Sequence, residues 1–295
     1  MPEKRRGTRS GTQVDPHTVV FSLYGQYVLS RGDEIWIGSL IRALAALDIK
    51  AGATRTIVSR MQREGYLQGR RVGRRSFYRL TELGLKQVRG GGDRAFTPPG
   101  DEWDGQWIVI TYTIPEEHRK HRDMLRSWLT WWAFGALAPG VWISPHPLSP
   151  EVEGKLQEMD VWQYLEVFRA EHLGPSDQRA LVAHAWPQIP ALGDRYQAYV
   201  ARYERVSHHL KTGTLDDKAC FVARFQSLYE FIAITLEDPA LPPSLLPKDW
   251  PRPIAQALFK ELSHALSERA ERFFDAIYET AKGKGKADDE RTRTQ

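Results

Sequence analysis

The chain has 295 residues, which is enough for two or three domains of ordinary size. With 41% hydrophobic and 26% charged residues, the composition fits neither a wholly disordered protein nor a coiled coil. The sequence contains no run of about 18 apolar residues, so we expect no transmembrane helix. Residues 1–100 carry 18 Lys and Arg against 8 Asp and Glu, whereas the remainder carries 23 against 29. This asymmetry favours a basic module that binds a polyanion, with a solvated basic face as the alternative.

The two ends of the chain are polar. Residues 1–17 are basic and interrupted by glycine and proline, and residues 282–295 are charged, so we predict a flexible arm and a disordered tail. No apolar segment of signal-peptide type follows the first charges, so the expected compartment is the cytoplasm. The lone Cys220 can form neither an internal disulfide nor a cysteine-based zinc site, and we expect no cofactor and no metal.

Three helical segments follow the arm. Apolar residues recur at helical spacing from Thr18 to about Ser30 and from Ile37 to Leu47, and Gly52 marks a break before a third helix, Ala53–Glu64. The apolar residues of this third helix lie on one face, and its other positions carry side chains that can hydrogen-bond with base edges. These candidate base-reading residues are Arg55, Thr56, Ser59, Arg60 and Arg63.

An arginine-rich hairpin comes next. Two strand-like runs separated by Val72-Gly73-Arg74 predict it, and Thr81 is the expected N-cap of a short helix through Val88. This element order predicts a winged helix-turn-helix domain over residues 18–90. Protein-binding modules share the order, but they normally carry apolar anchors where this hairpin has arginines, so we favour double-stranded DNA as the partner. The candidate phosphate-binding residues of the wing are Arg70, Arg71, Arg74 and Arg75.

A middle domain is predicted over residues 103–174, after a linker of glycines and prolines at 91–102. Alternating strands and helices predict a ferredoxin-like α/β domain, and we assign dimerisation to it because helix-turn-helix DNA-binding proteins usually pair. The expected elements are strands at Trp107–Thr113, Val141–Pro145 and Tyr164–His172 and helices from Pro115 to Gly135 and at Ser149–Met159.

In the third region, residues 175–281, the spacing of apolar residues predicts a mainly α-helical C-terminal domain. Helical spacing covers residues 179–184, 195–210, 218–236 and 254–281, and six prolines in residues 237–253 predict an extended, packed strap. The expected fold class is therefore α+β and multidomain, with a winged helix-turn-helix, a ferredoxin-like middle domain and a helical C-terminal domain.

Five sequence strings, in the same order and across all three predicted domains, resemble the PaaX family of bacterial transcriptional repressors. They are Tyr24–Val28 (YGQYV), Val72–Thr81 (VGRRSFYRLT), Trp103–Trp107 (WDGQW), Phe134–Pro145 and Asp238–Pro251. The resemblance covers residues 18–281 and implies a winged helix, a middle domain similar to a small ferredoxin-like CRISPR-associated nuclease, and a helical C-terminal domain. At Arg252 the family is expected to have glycine.

The resemblance also implies a function. It is that of a homodimeric repressor of phenylacetate degradation genes, not an enzyme, which leaves its operator when an acyl-CoA effector such as phenylacetyl-CoA binds. An aromatic cleft with a nearby arginine would suit such a ligand, and core packing is the alternative use of the tryptophans. The candidate effector-binding residues are Arg126, Trp128, Trp131 and Trp132.

Two other functions remain as alternatives. One is a metal-dependent nuclease built on the middle domain, but the nuclease family has an acidic residue where this chain has Tyr112–Pro115. His118, His121 and Asp123 match no metal motif of defined geometry, so a solvated helix face is favoured there. The other alternative is an architectural DNA-binding protein, whose affinity would ignore both sequence and ligand.

Overall fold

The computed structural model of the protein describes residues 16–96, 103–175 and 177–280. Most of the expected N-terminal arm, part of the expected linker and the expected C-terminal tail lie outside these residues. The described residues form α-helices and two antiparallel sheets, which confirms the α+β fold class. Within the same residues, no helix is both long and apolar enough to cross a membrane.

The bounds of the elements are as follows. The helices are α1 Pro16–Leu23, α2 Ile37–Ala46, α3 Ala51–Arg63, α4 Glu82–Phe96, α5 Arg119–Trp131, α6 Pro150–Gln157, α7 Gln178–Ala185, α8 Ile189–Lys211, α9 Asp217–Thr235, α10 Arg252–Ala265 and α11 Ser267–Ile277. The strands are β1 Glu34–Trp36, β2 Leu67–Val72, β3 Arg75–Leu80, β4 Gln106–Tyr112, β5 Gly135–Ala138, β6 Val141–Ser144 and β7 Leu165–Glu171.

The chain divides into two compact units. The first contains the described residues up to Gly92 together with 209–229 and those from Leu262 onward, and the second contains 93–208 and 230–261. Segments from both ends of the chain therefore share the first unit. The contiguous boundaries expected at 18–90, 91–102, 103–174 and 175–281 stay predictions.

The core of the first unit joins early and late parts of the sequence. Leu23 and Tyr27 come from the first helical segment, Met61 from α3, and Phe221 and Phe274 from α9 and α11. The ring of Tyr27 stacks on that of Phe274 at 4.9 Å and lies 5.2 Å from that of Phe221. The late helices are thus part of the same hydrophobic core as the helices that precede the hairpin.

The first helical segment is less regular than its spacing predicts. After α1 the chain makes a π-helical turn, Tyr24–Val28, and then a 3₁₀ turn that Gly32 ends with a φ of 100°. The π turn keeps Tyr24, Tyr27 and Val28 buried. The predicted break at Gly52 is wrong, because α3 begins at Ala51 and the chain instead turns at Asp48, whose φ is 63°.

The helix after the hairpin begins where the sequence predicts and ends later. The side chain of Thr81 accepts a hydrogen bond from the backbone N–H of Gly84 at 3.2 Å, so Thr81 caps α4. The predicted end at Val88 is wrong, since α4 continues through three glycines to Phe96.

The second unit is built on a four-stranded antiparallel sheet with the strand order β5-β6-β4-β7. Along the chain its elements run β4, α5, β5, β6, α6, β7. Leu125 of α5 and Leu156 of α6 pack with Ile110 on one face of the sheet. Trp186, which follows α7, packs with Trp107 on the other face. Both faces are therefore covered.

The proline-rich segment is a packed strap, as its composition predicts. Leu241, Leu245 and Leu246 are buried in the second core of this unit. Asp238 is also buried, and its carboxylate accepts a hydrogen bond from the Tyr196 hydroxyl at 2.8 Å and pairs with Arg252 at 3.2 Å. The arginine at the position where glycine was expected thus neutralises a buried carboxylate.

The remaining differences between the predicted and the observed elements concern two short strands and one long helix. The sequence pattern misses β1 and β5, which have three and four residues and lie close to helices. The single helix expected over 254–281 is two helices, α10 and α11, divided at Leu266.

Candidate nucleic-acid interface

The exposed side of α3 carries the five residues predicted to contact bases. Thr54, Ile57, Val58 and Met61 point inward, which leaves the predicted set exposed as the helical spacing requires. The Nε of Arg60 donates to Glu64 at 2.7 Å, and the hydroxyl of Thr56 donates to the Gly52 carbonyl at 3.1 Å. Within the described chain, Arg55, Ser59 and Arg63 have no hydrogen-bond or ion-pair partner. The structure therefore places Arg55, Thr56, Ser59, Arg60 and Arg63 together on one face.

The hairpin next to α3 is a tight one. Val72 pairs with Arg75 across a two-residue loop of Gly73 and Arg74, and Gly73 has a φ of 60°. A glycine with positive φ at the first loop position suits the twist of a two-residue hairpin. Arg74 is exposed and makes no ion pair or hydrogen bond among the described residues, whereas Arg71 donates to the Gly73 carbonyl at 3.2 Å. These two arginines can therefore donate hydrogen bonds to phosphate oxygens without losing a carboxylate partner.

The other two predicted wing arginines already hold carboxylates. Arg70 makes a bidentate pair with Glu34, with Nε and Nη2 at 2.5 and 2.6 Å from the two oxygens. This hydrogen bonding raises the pKa of Arg70. Arg75 donates to Glu279 at 2.7 Å. All four arginines are exposed at one hairpin, but the charges of Arg70 and Arg75 are partly neutralised by carboxylates.

Sequence reasoning missed Arg42 and Glu279. The Nη2 of Arg42 donates to Glu279 at 2.9 Å and to the Ile277 carbonyl at 2.8 Å. Both Arg42 and Arg75 also lie over the Trp36 ring, at 5.2 and 4.7 Å from its centroid. No local pattern could have found this cluster, because Arg42 and Glu279 are 237 residues apart.

A cavity of about 590 Å³ lies in the first unit at the base of the hairpin. Leu29, Leu80 and Leu85 give it apolar walls, and Glu34, Arg70 and Arg79 give it charged ones. The Glu34–Arg70 pair thus connects the wing to a space between the first helical segment and the start of α4.

The candidate effector residues lie on α5 and at its end. Trp128 and Trp132 stack at 5.3 Å and pack against the core that covers one face of the larger sheet. Trp131 is 48% exposed, and Arg126 is exposed as well. The structure therefore separates the four into a packed pair and two residues at the surface.

Of the two carboxylates that follow β4, Glu116 is engaged with arginines, whereas Glu117 lies 3.9 Å from the imidazole of His118. Glu116 accepts from Arg122 at 2.9 Å and pairs with Arg119 at 3.7 Å. Across residues 16–96, 103–175 and 177–280, no group of three His, Cys, Asp or Glu side chains is placed to hold a metal ion. Cys220 is buried, which raises the pKa of its thiol.

Comparisons with known proteins cover nearly the whole chain. Models of one protein family match it in three segments: "PaaX-like protein" over residues 15–84, "PaaX protein central Cas2-like domain" over residues 100–182 and "PaaX-like protein C-terminal domain" over residues 186–276. The chain is 29% identical over 272 residues to the transcriptional repressor PaaX of Escherichia coli (strain K12), which spans 90% of this chain and 85% of that protein.

A solved structure of an uncharacterized protein from Mycobacterium tuberculosis has a similar fold. The TM-score is 0.59 at 24% sequence identity, and the match covers 89% of this chain and 98% of that one.

Proposed function

The chain belongs to the PaaX family of transcriptional repressors, and from this premise we propose that it is a repressor that binds operator DNA through α3 and the β2–β3 hairpin. It is a regulator rather than an enzyme. The observation that carries the proposal is the exposed polar face of α3 beside a hairpin with four exposed arginines. Such a face presents donors to base edges, while the arginines attract phosphates.

We propose that these elements form a winged helix-turn-helix. In support, α2 and α3 follow each other across a short turn, and β1, β3 and β2 form one antiparallel sheet whose hairpin is the wing. In this arrangement α3 enters the major groove and the wing lies along the backbone. Arg55, Ser59 and Arg63 then have the greatest freedom to contact bases.

We assign a ferredoxin-like fold and dimerisation to the middle domain. The order β4-α5-β5-β6-α6-β7 and the antiparallel sheet β5-β6-β4-β7 support this fold. A dimer matches two half-sites about one DNA turn apart, which is the usual requirement for a helix-turn-helix repressor. The mainly α-helical C-terminal region would complete the three-domain plan.

We propose an acyl-CoA effector, with phenylacetyl-CoA as the first compound to test. Its aromatic group could contact Trp131 and its phosphates Arg126, since both residues are exposed. Release from DNA requires that the effector bind the DNA-free conformation more tightly than the DNA-bound one. We expect the protein to act in the cytoplasm, where a bacterial operator is found.

The decisive experiment is fluorescence anisotropy of a DNA fragment from upstream of the protein's own operon. The protein is titrated against this fragment and a scrambled one, with and without phenylacetyl-CoA. We expect tighter binding to the native fragment and loss of that preference when the thioester is added. Equal binding to both fragments would contradict the repressor function, and preferential binding that ignores the thioester would contradict the effector only.

A further inference from the structure

A cluster of four side chains lies beside the hairpin. The carboxylate of Glu279 bridges Arg42 and Arg75, at 2.9 and 2.7 Å, and both guanidinium groups lie over the Trp36 ring. Gly38 makes room for this ring, because a Cβ at Gly38 would come within 2.4 Å of it. The two arginine side chains are 44% and 52% exposed, whereas that of Glu279 is only 15% exposed.

The main chain fixes Glu279 in this position. Its carbonyl accepts from the N–H of Trp36 at 3.2 Å, and its own N–H donates to the Ser39 hydroxyl at 3.0 Å. The hydroxyl of the preceding residue, Tyr278, lies 2.8 Å from the carbonyls of Arg31 and Glu34. The carboxylate is therefore held against the arginines by its backbone, which distinguishes this cluster from an adjustable surface ion pair.

The chemistry of the cluster is that of an anion site. Two guanidinium groups on one carboxylate offer the planar, charged donors that also bind phosphate oxygens. They hold the pKa of Glu279 below its usual range, which keeps the carboxylate ionised. Because Arg75 belongs to the hairpin that is proposed to lie along DNA, a phosphodiester of the backbone could reach the same donors.

We propose that Arg42 and Arg75 form a phosphate-binding site for the DNA backbone and that Glu279 is its built-in competitor. The inference rests on the proposed function. Glu279 cancels part of the charge that the two arginines would present to DNA, so binding is weaker than the number of arginines implies. The residues just after α11, which hold Glu279 in place, therefore influence how tightly the first unit binds DNA.

The test compares Glu279→Gln with a matched control, Glu268→Gln. Glutamine keeps the size and a hydrogen-bond acceptor at position 279 but removes the charge. Glu268 lies on α11 in the same unit and is 86% exposed, and its partner is Arg272 rather than the cluster. Binding of the full chain to the native and scrambled fragments is measured as a function of salt.

For Glu279→Gln we expect about fivefold to tenfold tighter binding to both fragments at 0.1 M salt, and a salt slope more negative by about 1 per protomer, as for one added phosphate contact. The gain should shrink in the double variant Glu279→Gln/Arg42→Gln, because only Arg75 is then left to bind the phosphate, and Arg42→Gln alone should weaken binding to both fragments. Glu268→Gln should bind like the unaltered chain.

The outcomes separate the two proposals. If the unaltered chain does not prefer its native fragment, the proposed function fails. If it does prefer that fragment but Glu279→Gln binds no more tightly than Glu268→Gln, only the competitor is wrong. A gain that is undiminished by the loss of Arg42 would also overturn it. Should Glu279→Gln melt at a lower temperature, Arg42→Gln decides alone, since unchanged affinity and slope would contradict the site.

Discussion

At the scale of single residues, Arg63 is a proposed base-reading residue, so its loss should affect specific binding more than general binding. It is exposed in the last turn of α3 and has no hydrogen-bond or ion-pair partner in the described part of the chain. For Arg63→Ala we expect the preference for the native fragment over the scrambled one to fall by about 1–3 kcal/mol, because a base contact is lost. Anisotropy on both fragments measures this, and equal losses on the two would remove Arg63 from the base-reading set.

Arg74, at the tip of the hairpin, is the proposed phosphate-binding counterpart. For Arg74→Ala we expect weaker binding to every sequence and a salt slope shallower by about 1 per protomer, since a phosphate contact is lost. Arg74→Lys keeps the charge and should retain the slope. If the lysine variant behaves like the alanine variant, charge is not what Arg74 contributes.

Arg252 shows how a single unexpected residue can be essential to packing. Its side chain is 6% exposed and pairs with Asp238, which is 1% exposed. For Arg252→Ala we expect a loss of about 3–5 kcal/mol in the free energy of unfolding, because a buried carboxylate is left without its cation. The control is Arg202→Ala, because the Arg202 side chain is 59% exposed where it pairs with Glu230 and its loss should cost less than about 1 kcal/mol. Similar urea midpoints for both variants would show that the buried pair contributes little.

At the scale of elements, α9 and α11 are joined by a charge cluster whose effect depends on pH. Hydrogen bonds from Arg272 and Arg269 lower the pKa of Asp217 to about 2. Because the folded-state pKa lies below the unfolded value, this contribution to stability is complete above the unfolded pKa and is lost as the pH falls through about 2. For Asp217→Asn we therefore expect a lower Tm at pH 7 and a difference from the unaltered chain that shrinks as the pH falls towards 2. Thermal melts across this range check it, and a constant difference at all pH values would contradict the assignment.

Some elements follow from local sequence and others do not. The apolar spacing of α3 fixes which side is buried, so its exposed polar face could be predicted without a structure. Thr81 could be predicted as a cap because its partner, Gly84, is only three residues away. The partners of Arg75 and Arg42 lie 204 and 237 residues away, and no periodicity reports on contacts at that distance. The sequence therefore could not predict which arginines near the hairpin are neutralised by a carboxylate.

At the scale of the whole molecule, the protein should bind DNA as a salt-sensitive dimer. If about six phosphates are neutralised per dimer, the logarithm of affinity should fall with the logarithm of salt concentration at a slope of about −5. Sedimentation of the complex gives the stoichiometry, and anisotropy at several salt concentrations gives the slope. A slope near zero would contradict a binding mode based on arginine contacts to the backbone.

The shared core of the first unit also constrains how the protein is made. The Tyr278 hydroxyl contacts the Arg31 carbonyl across 247 residues of sequence. At about 5–20 residues per second, a ribosome needs roughly 12 to 50 s to travel that distance. Throughout this interval the nascent helices that will hold α3 lack Phe274 and Tyr278 of their core. A newly made repressor should therefore become competent for its operator only after α11 and Tyr278 have been translated, and chains cut short before α11 should be poor competitors for the same site.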